Sequence, residues 1–413
     1  MRQPRVLIIG GGAAGLSAAI ASARLDVDVT LLEAGARVGR KILASGNGRC
    51  NLTNVSASPS AYNHPDFVEP VLRTYPCDAV RSFFGEMGLL TCPDDEGRVY
   101  PVTNVAGSVL DVLRLECAHL GVEVRCDFEV GRVSEVPGSS GLQVTSTDGE
   151  TVRGEAVVVA TAGGSLLGDL GHEMVESIPV LGPIRTELEP IHGLSGVRVR
   201  CAATILACVD DDDGTGGDAV ATERGELLFR DYGVSGIMIF DLSRYLEKGS
   251  VISIDLFPDI PAGELETMIS QRSAALPWRT AETFFTGMLH DRVARAVLRT
   301  AGIGLGTPVD DLAPARLAAL LKDFRLRALG MGDAKQAQVM RGGASVAQFD
   351  PETMASRRVE GLFAAGEVLD IDGRSGGYNL HWAWASGIAA GEAAARRALA
   401  RSAEADASSR GSE

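Results

Sequence analysis

The feature that most constrains the fold is a glycine-rich turn between an apolar strand and a helix near the N-terminus. Residues 5–9 read Arg-Val-Leu-Ile-Ile, which predicts a buried strand, and Gly10-Gly11-Gly12-Ala13-Ala14-Gly15 follows directly. A helical run over residues 16–23 comes next, and a second predicted strand, residues 28–32, ends in Glu33. Strand, glycine turn, helix, strand and acid in this order predict a Rossmann-type dinucleotide-binding unit.

Each position of this unit has a physical task. Gly10 allows the tight turn, Gly12 lets the backbone approach a pyrophosphate, and Gly15 lets the helix pack closely on the strand. Ala14 lies in the turn just before the predicted helix, whose free N–H groups can bind phosphate. Glu33 can accept hydrogen bonds from the ribose hydroxyls of an adenosine, and its charge would repel a 2′-phosphate. The turn therefore does not favour NADP, but by itself it does not separate NAD from FAD.

The stretch that follows favours FAD. Residues 38–54 form a polar, glycine-rich loop with basic and amide side chains, where a simple NAD domain would normally continue into another helix. Such a loop indicates chain that wraps a large extended cofactor, with Arg40 or Lys41 at its ribose and phosphates and Asn47 near the flavin. The alternative is a solvated surface loop.

A second glycine pattern lies near the other end of the chain. Residues 361–367 predict a short buried strand that ends in Gly366 and Glu367, and Glu367 is suited to hydrogen-bond a ribitol hydroxyl. Glycines at 376 and 377 then precede a helix predicted from Leu380 to about Leu399. The free N–H groups of a helix start favour the negative charge that the flavin pyrimidine edge gains on reduction. The predicted cofactor residues here are Gly366, Glu367, Gly377, Asn379 and Leu380.

With both ends described, the chain resembles the BaiN-type family of FAD-dependent oxidoreductases, which includes bile-acid and steroid ene-reductases and aminoacetone oxidases. The residues that carry the resemblance are Gly39-Arg40-Lys41, Ser45-Gly46-Asn47-Gly48-Arg49-Cys50-Asn51-Leu52-Thr53-Asn54, Gly366-Glu367-Val368-Leu369-Asp370-Ile371-Asp372-Gly373 and Gly376-Gly377-Tyr378-Asn379-Leu380. Weaker similarity covers most of the remaining chain. The resemblance implies an FAD domain with an insertion made of a β-barrel-like part and a small helical part.

We therefore predict an α/β fold, a Rossmann-type FAD-binding domain with a parallel sheet and a β-meander, which carries an inserted β-barrel-like and small helical domain. The predicted boundaries are residues 1–183 and 340–399 for the FAD-binding domain, 184–261 for a β-rich substrate domain, 262–339 for a helical subdomain and 400–413 for a disordered tail.

The predicted β-meander, residues 122–144, contributes to the cofactor site. Val130 lies where it can touch the adenine. The strand over residues 156–160 then returns to the parallel sheet, and the cofactor residues predicted at its end are Ala160, Thr161 and Ala162. Trp382 and Trp384 are placed in the core by preference, with stacking on a flavin as the alternative.

Composition limits the other partners. The formal net charge of −15 disfavours nucleic acid and anionic membrane as partners. No apolar run is long enough to span a membrane, and no signal peptide is visible. Seven cysteines without a Cys-x-x-Cys pair indicate reduced thiols and a cytoplasmic location. The acidic stretch over residues 210–218 lacks ordered ligand spacing, so a solvated turn is predicted there and no metal site.

A nicotinamide cofactor would have to bind without a Rossmann unit of its own. The glycine run at residues 302–306 lacks a preceding strand and a following acid, and a helix–loop junction explains it better. NAD(P)H remains a candidate electron donor that docks directly against the flavin. The sequence does not indicate the oligomeric state.

We consider three functions for a small-molecule substrate. The first is an ene-reductase that delivers hydride from reduced flavin to an activated C=C bond of an apolar, steroid-like enone, which the run Ile237-Met238-Ile239-Phe240 favours. The second is an amine oxidase of the aminoacetone-oxidase type, and the third is a non-catalytic, redox-dependent binding module. Tyr378 and His381 are the predicted proton donors, although a core or surface histidine explains His381 equally well.

Overall fold

The structure of this chain, a computed structural model, describes residues 3–136, 141–163, 165–208, 217–333 and 337–410. The contacts between residues divide the chain into two units, and each has its own hydrophobic core. Unit 1 contains residues 1–178 and 339–413, and unit 2 contains residues 179–338. The predicted substrate and helical subdomains thus form one unit with one core.

Unit 1 is built on a five-stranded parallel sheet. Its strands are β1 (Arg5–Ile9), β2 (Asp28–Leu32), β6 (Glu123–Arg125), β10 (Ala156–Val159) and β19 (Leu362–Ala364), in the order β19-β10-β1-β2-β6. β1, β2 and β10 bury nearly all of their side chains, as continuous aliphatic runs predict for strands covered on both faces. The Rossmann-type prediction is confirmed.

Three smaller sheets complete the strands of unit 1. They are the meander of β7 (Val130–Glu135), β8 (Leu142–Ser146) and β9 (Thr151–Gly154); the sheet of β3 (Thr53–Asn54), β4 (Thr91–Pro93) and β5 (Arg98–Pro101); and the pair of β11 (Met174–Val180) and β18 (Val339–Ala344). The meander begins later than predicted, because residues 123–125 join the parallel sheet instead.

The helices of unit 1 are α1 (Ala13–Ala23), α2 (Arg40–Ala44), α3 (Pro65–Thr74), α4 (Cys77–Glu86), α5 (Ala106–His119), α6 (Ser165–Asp169) and α12 (Tyr378–Arg410). α12 packs tightly on α1. A Cβ added at Gly387 or Gly391 would collide with the backbone of Ala14 or Ala18, respectively. Both pairs are four residues apart, so each helix presents a row of small residues to the other.

The C-terminal stretch corrects a prediction. Residues 400–410 continue α12, whereas a disordered tail was predicted from residue 400. The stretch is rich in alanine, which has the highest helix propensity. Arg401, which is only 8% exposed, also pairs with Glu360 at 2.9 Å. The prediction of disorder was made from polar composition alone, which does not show that this stretch continues the packed helix α12.

Unit 2 contains a closed six-stranded barrel, in agreement with the predicted β-barrel-like part. Its strands are β12 (Ile184–Thr186), β13 (Arg198–Leu206), β14 (Ala219–Arg230), β15 (Gly233–Ser235), β16 (Val251–Asp255) and β17 (Phe324–Met331), in the order β12-β15-β14-β13-β16-β17. Its helices are α7 (Ile237–Ser243), α8 (Ala262–Ala275), α9 (Ala281–Phe284), α10 (Asp291–Thr300) and α11 (Pro314–Lys322).

β17 corrects the boundary of the helical subdomain. Residues 262–339 were predicted as a helical subdomain, but Phe324, Leu326 and Ala328 are buried in alternation with more exposed neighbours. This period of two is typical of a strand with one buried face. The segment closes the barrel by pairing with both β12 and β16.

Some predicted features are not described. Residues 137–140 of the predicted turn at 137–141, and residues 210–216 of the predicted acidic turn, lie outside the described residues. Among the residues that are described, no cluster of His, Cys, Asp and Glu could hold a metal ion. In the same part of the chain, no helix has the length and apolar character needed to cross a membrane.

Candidate cofactor site

Four of the predicted cofactor residues lie at one edge of the parallel sheet in unit 1. Gly10 follows β1, Glu33 follows β2, Ala160 follows β10 and Gly366 comes soon after β19. Because these strands are parallel, their carboxyl ends lie at the same edge. In open α/β sheets, ligands bind in the crevice outside this edge. The fold therefore brings together motifs that are more than 300 residues apart in the chain.

The glycines of the turn differ in whether the neighbouring atoms leave room for a side chain. Gly10 has a φ of +103°, and a Cβ there would lie 2.6 Å from the carbonyl oxygen of Ala160. A Cβ at Gly15 would collide with the carbonyl oxygen of Gly10. Gly12 differs, because a Cβ added there meets no atom within 4 Å. Gly12 is also the N-cap of α1 and provides no side-chain cap. The space beside the uncapped N–H groups at the start of α1 is therefore open. A pyrophosphate could occupy such a position.

Glu33 is fixed by two backbone hydrogen bonds. Its Oε2 accepts from the N–H of Gly11 at 2.7 Å, and its Oε1 accepts from the N–H of Gly35 at 2.8 Å. The carboxylate is therefore anchored beside the glycine turn, and each oxygen keeps capacity for a further donor. This geometry fits acceptance of hydroxyl hydrogen bonds from a ribose.

The start of the β-meander lies beside Glu33. The N–H of Phe128 donates to the carbonyl of Glu33 at 2.9 Å, and the N–H of Asp127 donates to the carbonyl of Gly35 at 3.1 Å. Half-buried Val130 follows two residues later. Val130 thus follows closely in the chain after a backbone contact with Glu33, and its role at the adenine stays a prediction.

Lys41 and Glu367 form an ion pair between the two ends of the chain. The Nζ of Lys41 lies 2.7 Å from Oε2 of Glu367, and Oε1 of Glu367 accepts from the N–H of Met340 at 2.8 Å. Arg40 and Asn47 are exposed. Thr161 is half-buried and bonds the carbonyl of Gly163 at 2.9 Å, and Ala162 is exposed. These residues line the sheet edge or the loop beside it.

The start of α12 is shaped by two glycines in the left-handed region. Gly376 and Gly377 have φ values of +106° and +104°. A Cβ at Gly377 would lie 2.5 Å from the carbonyl oxygen of Thr53, so only glycine allows β3 to approach this closely. The Asn379 side chain accepts from the N–H of Gly373 at 2.8 Å and donates to its carbonyl at 2.9 Å.

Asn379 and Leu380 therefore have different relations to a cofactor. The side chain of Asn379 closes the turn before the helix, so its backbone N–H is the group that remains for a ligand. Leu380 is half-buried in the first turn of α12.

The two tryptophans lie in the core, as predicted. Trp382 and Trp384 are 2% and 0% exposed, and their indole N–H groups donate to the carbonyls of Gly366 and Leu52, respectively.

The two predicted proton donors have contrasting environments. Tyr378 is half-buried, and its ring contacts that of Tyr62 edge-on with centroids 6.3 Å apart. His381 is fully buried, and its Nδ1 lies 2.6 Å from the hydroxyl of Thr53. Burial lowers the pKa of His381 to about 4, although the backbone carbonyl of Tyr75 opposes this shift. Full burial and a lowered pKa favour the alternative of a core histidine over a proton donor, and both assignments of His381 stay predictions.

Residues 61–64 hold the loop that precedes α12, and the sequence analysis missed them. The N–H of Arg374 donates to the carbonyl of Ala61 at 3.0 Å, and the hydroxyl of Tyr62 donates to the carbonyl of Tyr378 at 2.8 Å. Asn63 exchanges two hydrogen bonds with Asp372. No local sequence pattern signals these contacts, because they join segments about 310 residues apart.

A histidine–carboxylate pair ends this segment. The Nε2 of His64 lies 3.1 Å from Oδ2 of Asp370, and the hydrogen bond that His64 donates to this carboxylate raises the pKa of His64. Asp370 Oδ1 also accepts from the N–H of Gly342 at 3.1 Å. The pair therefore fixes the stretch between Glu367 and the start of α12.

The apolar run in unit 2 is less open than predicted. Met238 and Ile239 are 4% and 0% exposed and belong to the core of unit 2. Ile237 is 57% exposed, and Phe240 is half-buried. The run is a short amphipathic helix, α7, so half of it packs inward and is not available to a substrate.

Comparisons with known proteins bear on the family. A family model described as HI0933-like protein Rossmann domain matches residues 4–393. The 3-dehydro-bile acid delta(4,6)-reductase of Clostridium scindens is 33% identical over 418 residues, which cover 95% of this chain and 99% of that protein. The ribosomal RNA dihydrouridine synthase of Haemophilus influenzae is 29% identical over 407 residues, which cover 93% of this chain and 96% of that protein.

Similarity to solved structures is weaker. The crystal structure of a 3-ketosteroid delta1-dehydrogenase from Sterolibacterium denitrificans aligns with 96% of this chain and 100% of that chain, at 13% identity and a TM-score of 0.48.

Proposed function

This chain belongs to the HI0933-like family and is an oxidoreductase, and from that premise we propose that it is an FAD-dependent reductase of an activated C=C bond in an apolar, steroid-like enone. The observation that carries the substrate class is the relative named 3-dehydro-bile acid delta(4,6)-reductase, which aligns with 95% of this chain. The cofactor assignment is supported by the sheet-edge site, where separate parts of unit 1 supply groups suited to each part of an extended dinucleotide.

The adenosine and pyrophosphate would be held by the N-terminal motif. Glu33 accepts hydrogen bonds from ribose hydroxyls while Gly11 and Gly35 keep its carboxylate in place. The open space at Gly12 admits the pyrophosphate to the first turn of α1. Lys41 adds positive charge near that phosphate, and Glu367 both orients Lys41 and accepts from the ribityl chain.

Bound FAD would supply the two-electron chemistry, taking hydride from a donor and delivering it to the substrate C=C bond. The start of α12 would lie at the pyrimidine edge, where its free N–H groups stabilise the negative charge of the reduced state. Tyr378 is the remaining proton-donor candidate, and its Oη would hold the proton that the substrate carbon needs after hydride addition. NAD(P)H is the proposed source of hydride.

Anaerobic spectroscopy tests this function. Purified protein should release FAD, and not FMN, on acid treatment. Reduced protein should be reoxidised rapidly by 3-keto-Δ4 steroids under nitrogen and slowly by oxygen alone. Rapid reoxidation by oxygen together with reduction by small amines would instead identify an amine oxidase, and a flavin that no donor or acceptor turns over would identify a binding module.

Ribosomal RNA is a second candidate substrate. The relative that favours it is named a ribosomal RNA dihydrouridine synthase and aligns with 93% of this chain. Saturation of uridine is also the reduction of a C=C bond conjugated to a carbonyl, so the same site chemistry would serve. The net charge of −15 opposes binding to a polyanion, and the predicted exclusion of nucleic acid stays a prediction. Dihydrouridine formed in rRNA by the reduced protein, but not by the apoprotein without flavin, would establish this alternative.

A further inference from the structure

The side chain of Asn51 has an unsatisfied buried oxygen next to the start of α12. Asn51 is 8% exposed, and its Oδ1 has no hydrogen-bond partner in the described part of the chain. Leaving a buried acceptor unpaired destabilises the folded state, so each such oxygen in a folded protein needs an explanation. No aspect of the fold described above accounts for this one.

The position of this oxygen relates it to the cofactor site. Oδ1 of Asn51 lies 2.8 Å from the point that a Cβ on Gly377 would occupy. Gly376 and Gly377 form the left-handed turn into α12, which is the proposed binding point for the pyrimidine edge of the flavin. The oxygen therefore lies beside Gly377, the residue that precedes the first residue of α12.

The neighbouring amide shows what a satisfied side chain looks like here. Asn54, three residues later, donates through Nδ2 to the carbonyl of Gly376 at 3.1 Å and accepts through Oδ1 from the N–H of Ser56 at 2.9 Å. Both ends of its amide are therefore engaged, Nδ2 at the turn before α12 and Oδ1 within its own segment. Asn51 is next to the same turn but leaves its oxygen for a donor that the chain does not provide.

We propose that Oδ1 of Asn51 accepts the N3–H of the flavin, so that Asn51 is a specificity-determining residue of the site. The inference rests on the proposed FAD function. The pyrimidine edge of oxidised flavin offers one N–H donor, N3–H, between two carbonyl acceptors. Helix N–H groups satisfy the carbonyls but cannot satisfy N3–H, which needs an oxygen acceptor. Asn51 supplies the acceptor that the helix start lacks.

Flavin binding to the full-length apoprotein tests this proposal, with FAD and its 3-methyl derivative as probes. Methylation removes the N3–H donor and changes no other polar atom. Dissociation constants follow from the quenching of flavin fluorescence. Wild-type protein should prefer FAD over 3-methyl-FAD by roughly tenfold, the value of one buried hydrogen bond. In Asn51→Ala, which lacks the acceptor and has room for the methyl group, this preference should fall to about twofold or less.

Two further variants separate hydrogen bonding from packing. Asn51→Leu fills a similar volume without an acceptor and should bind FAD roughly tenfold more weakly than wild type. The matched control, Asn54→Ala, should keep the wild-type preference between the two flavins, because its amide has no free acceptor. Full preference retained in Asn51→Ala, or unchanged FAD affinity in Asn51→Leu, would overturn the role of Asn51. A wild-type protein that binds no FAD would overturn the proposed function instead.

Discussion

Individual side chains in this site are held by hydrogen bonds that exist before any ligand arrives. Glu33 is the clearest case, because two backbone N–H groups fix its carboxylate beside the glycine turn. A fixed acceptor loses little conformational entropy when it binds, which makes its contribution to affinity larger. Asn379 and Asp370 have a comparable role on the other side of the site, where they order a turn and a loop.

Replacing Glu33 tests the adenosine end of the site. We expect Glu33→Ala to weaken FAD binding by about 1–3 kcal/mol, because it removes hydrogen bonds to a charged acceptor. Titration of apoprotein with FAD measures the effect. Glu33→Gln, which keeps an acceptor and the side-chain shape, should lose less. Unchanged affinity in a folded Glu33→Ala variant would show that this carboxylate does not contact the ribose.

His381 predicts a dependence of stability on pH. Burial lowers its pKa from 6.5 to about 4, so the unfolded chain binds this proton more readily than the folded chain. Its contribution is fully present above pH 6.5 and is lost as the pH falls towards 4, by up to about 3 kcal/mol. In His381→Gln, urea unfolding of the apoprotein should show a smaller loss of stability over this range.

His64 provides a control of opposite sign. Its pKa is raised by the hydrogen bond that it donates to Asp370, so its contribution is present below pH 6.5 and is lost as the pH rises through the folded pKa. His64→Gln should therefore lose stability relative to wild type at low pH and not at high pH. Equal pH profiles for wild type and His381→Gln would contradict the buried neutral state of His381.

At the scale of elements, the contact between α1 and α12 determines where the two ends of the chain meet. α1 follows the N-terminal glycine turn, and α12 follows the turn at Gly376 and Gly377 that we propose for the flavin. Their small residues let the backbones approach closely, and the hydroxyl of Ser22 donates to the carbonyl of Gly391 at 2.8 Å. A shift of one helix along the other would therefore also displace the two ends of the cofactor site relative to each other.

Adding one methyl group at this contact should be costly. A Cβ at Gly391 would collide with the backbone of Ala18, which cannot move as a side chain can. We expect Gly391→Ala to lower the free energy of unfolding by about 1–3 kcal/mol. Gly85→Ala in α4 is the matched control, because its Cβ would meet no atom within 4 Å. That change should stabilise the protein by up to about 1 kcal/mol through helix propensity. Equal effects of the two changes on urea unfolding would contradict the packing.

On the scale of the whole molecule, the chain consists of two units with separate cores. Unit 2 is inserted into unit 1, and the strands that lead into and out of it, β11 and β18, pair with each other. The two points of insertion are therefore adjacent, and unit 1 can be closed without unit 2. All the proposed cofactor residues belong to unit 1.

Deleting unit 2 should separate cofactor binding from catalysis. We expect a variant in which a short glycine-rich linker joins residues 178 and 339 to bind FAD within about tenfold of the wild-type affinity, because no proposed contact is removed. The same variant should lose substrate reduction if unit 2 supplies the substrate site. Titration with FAD and anaerobic turnover measure the two properties. A folded deletion variant without FAD affinity would place essential cofactor contacts in unit 2.

The sequence predicted those features that local chemistry encodes. The strand, the glycine turn, the helix and Glu33 lie within residues 5–33, and each follows from periodicity, glycine geometry or helix ends. The barrel in unit 2 was expected from the family resemblance. The strand β17 was missed, although its alternation of buried positions is visible in the sequence, because the helical segments before it masked the change of period.

Only the tertiary structure decided the contacts between distant segments. Whether His381 faces a substrate or the core depends on Thr53, and the unsatisfied oxygen of Asn51 becomes meaningful only beside Gly377. These pairs are about 330 residues apart, so no spacing rule relates them. Local sequence determines the conformation of a segment, whereas the burial and pairing of a polar group depend on which other segments pack against it. Those neighbours are set by the folded chain as a whole.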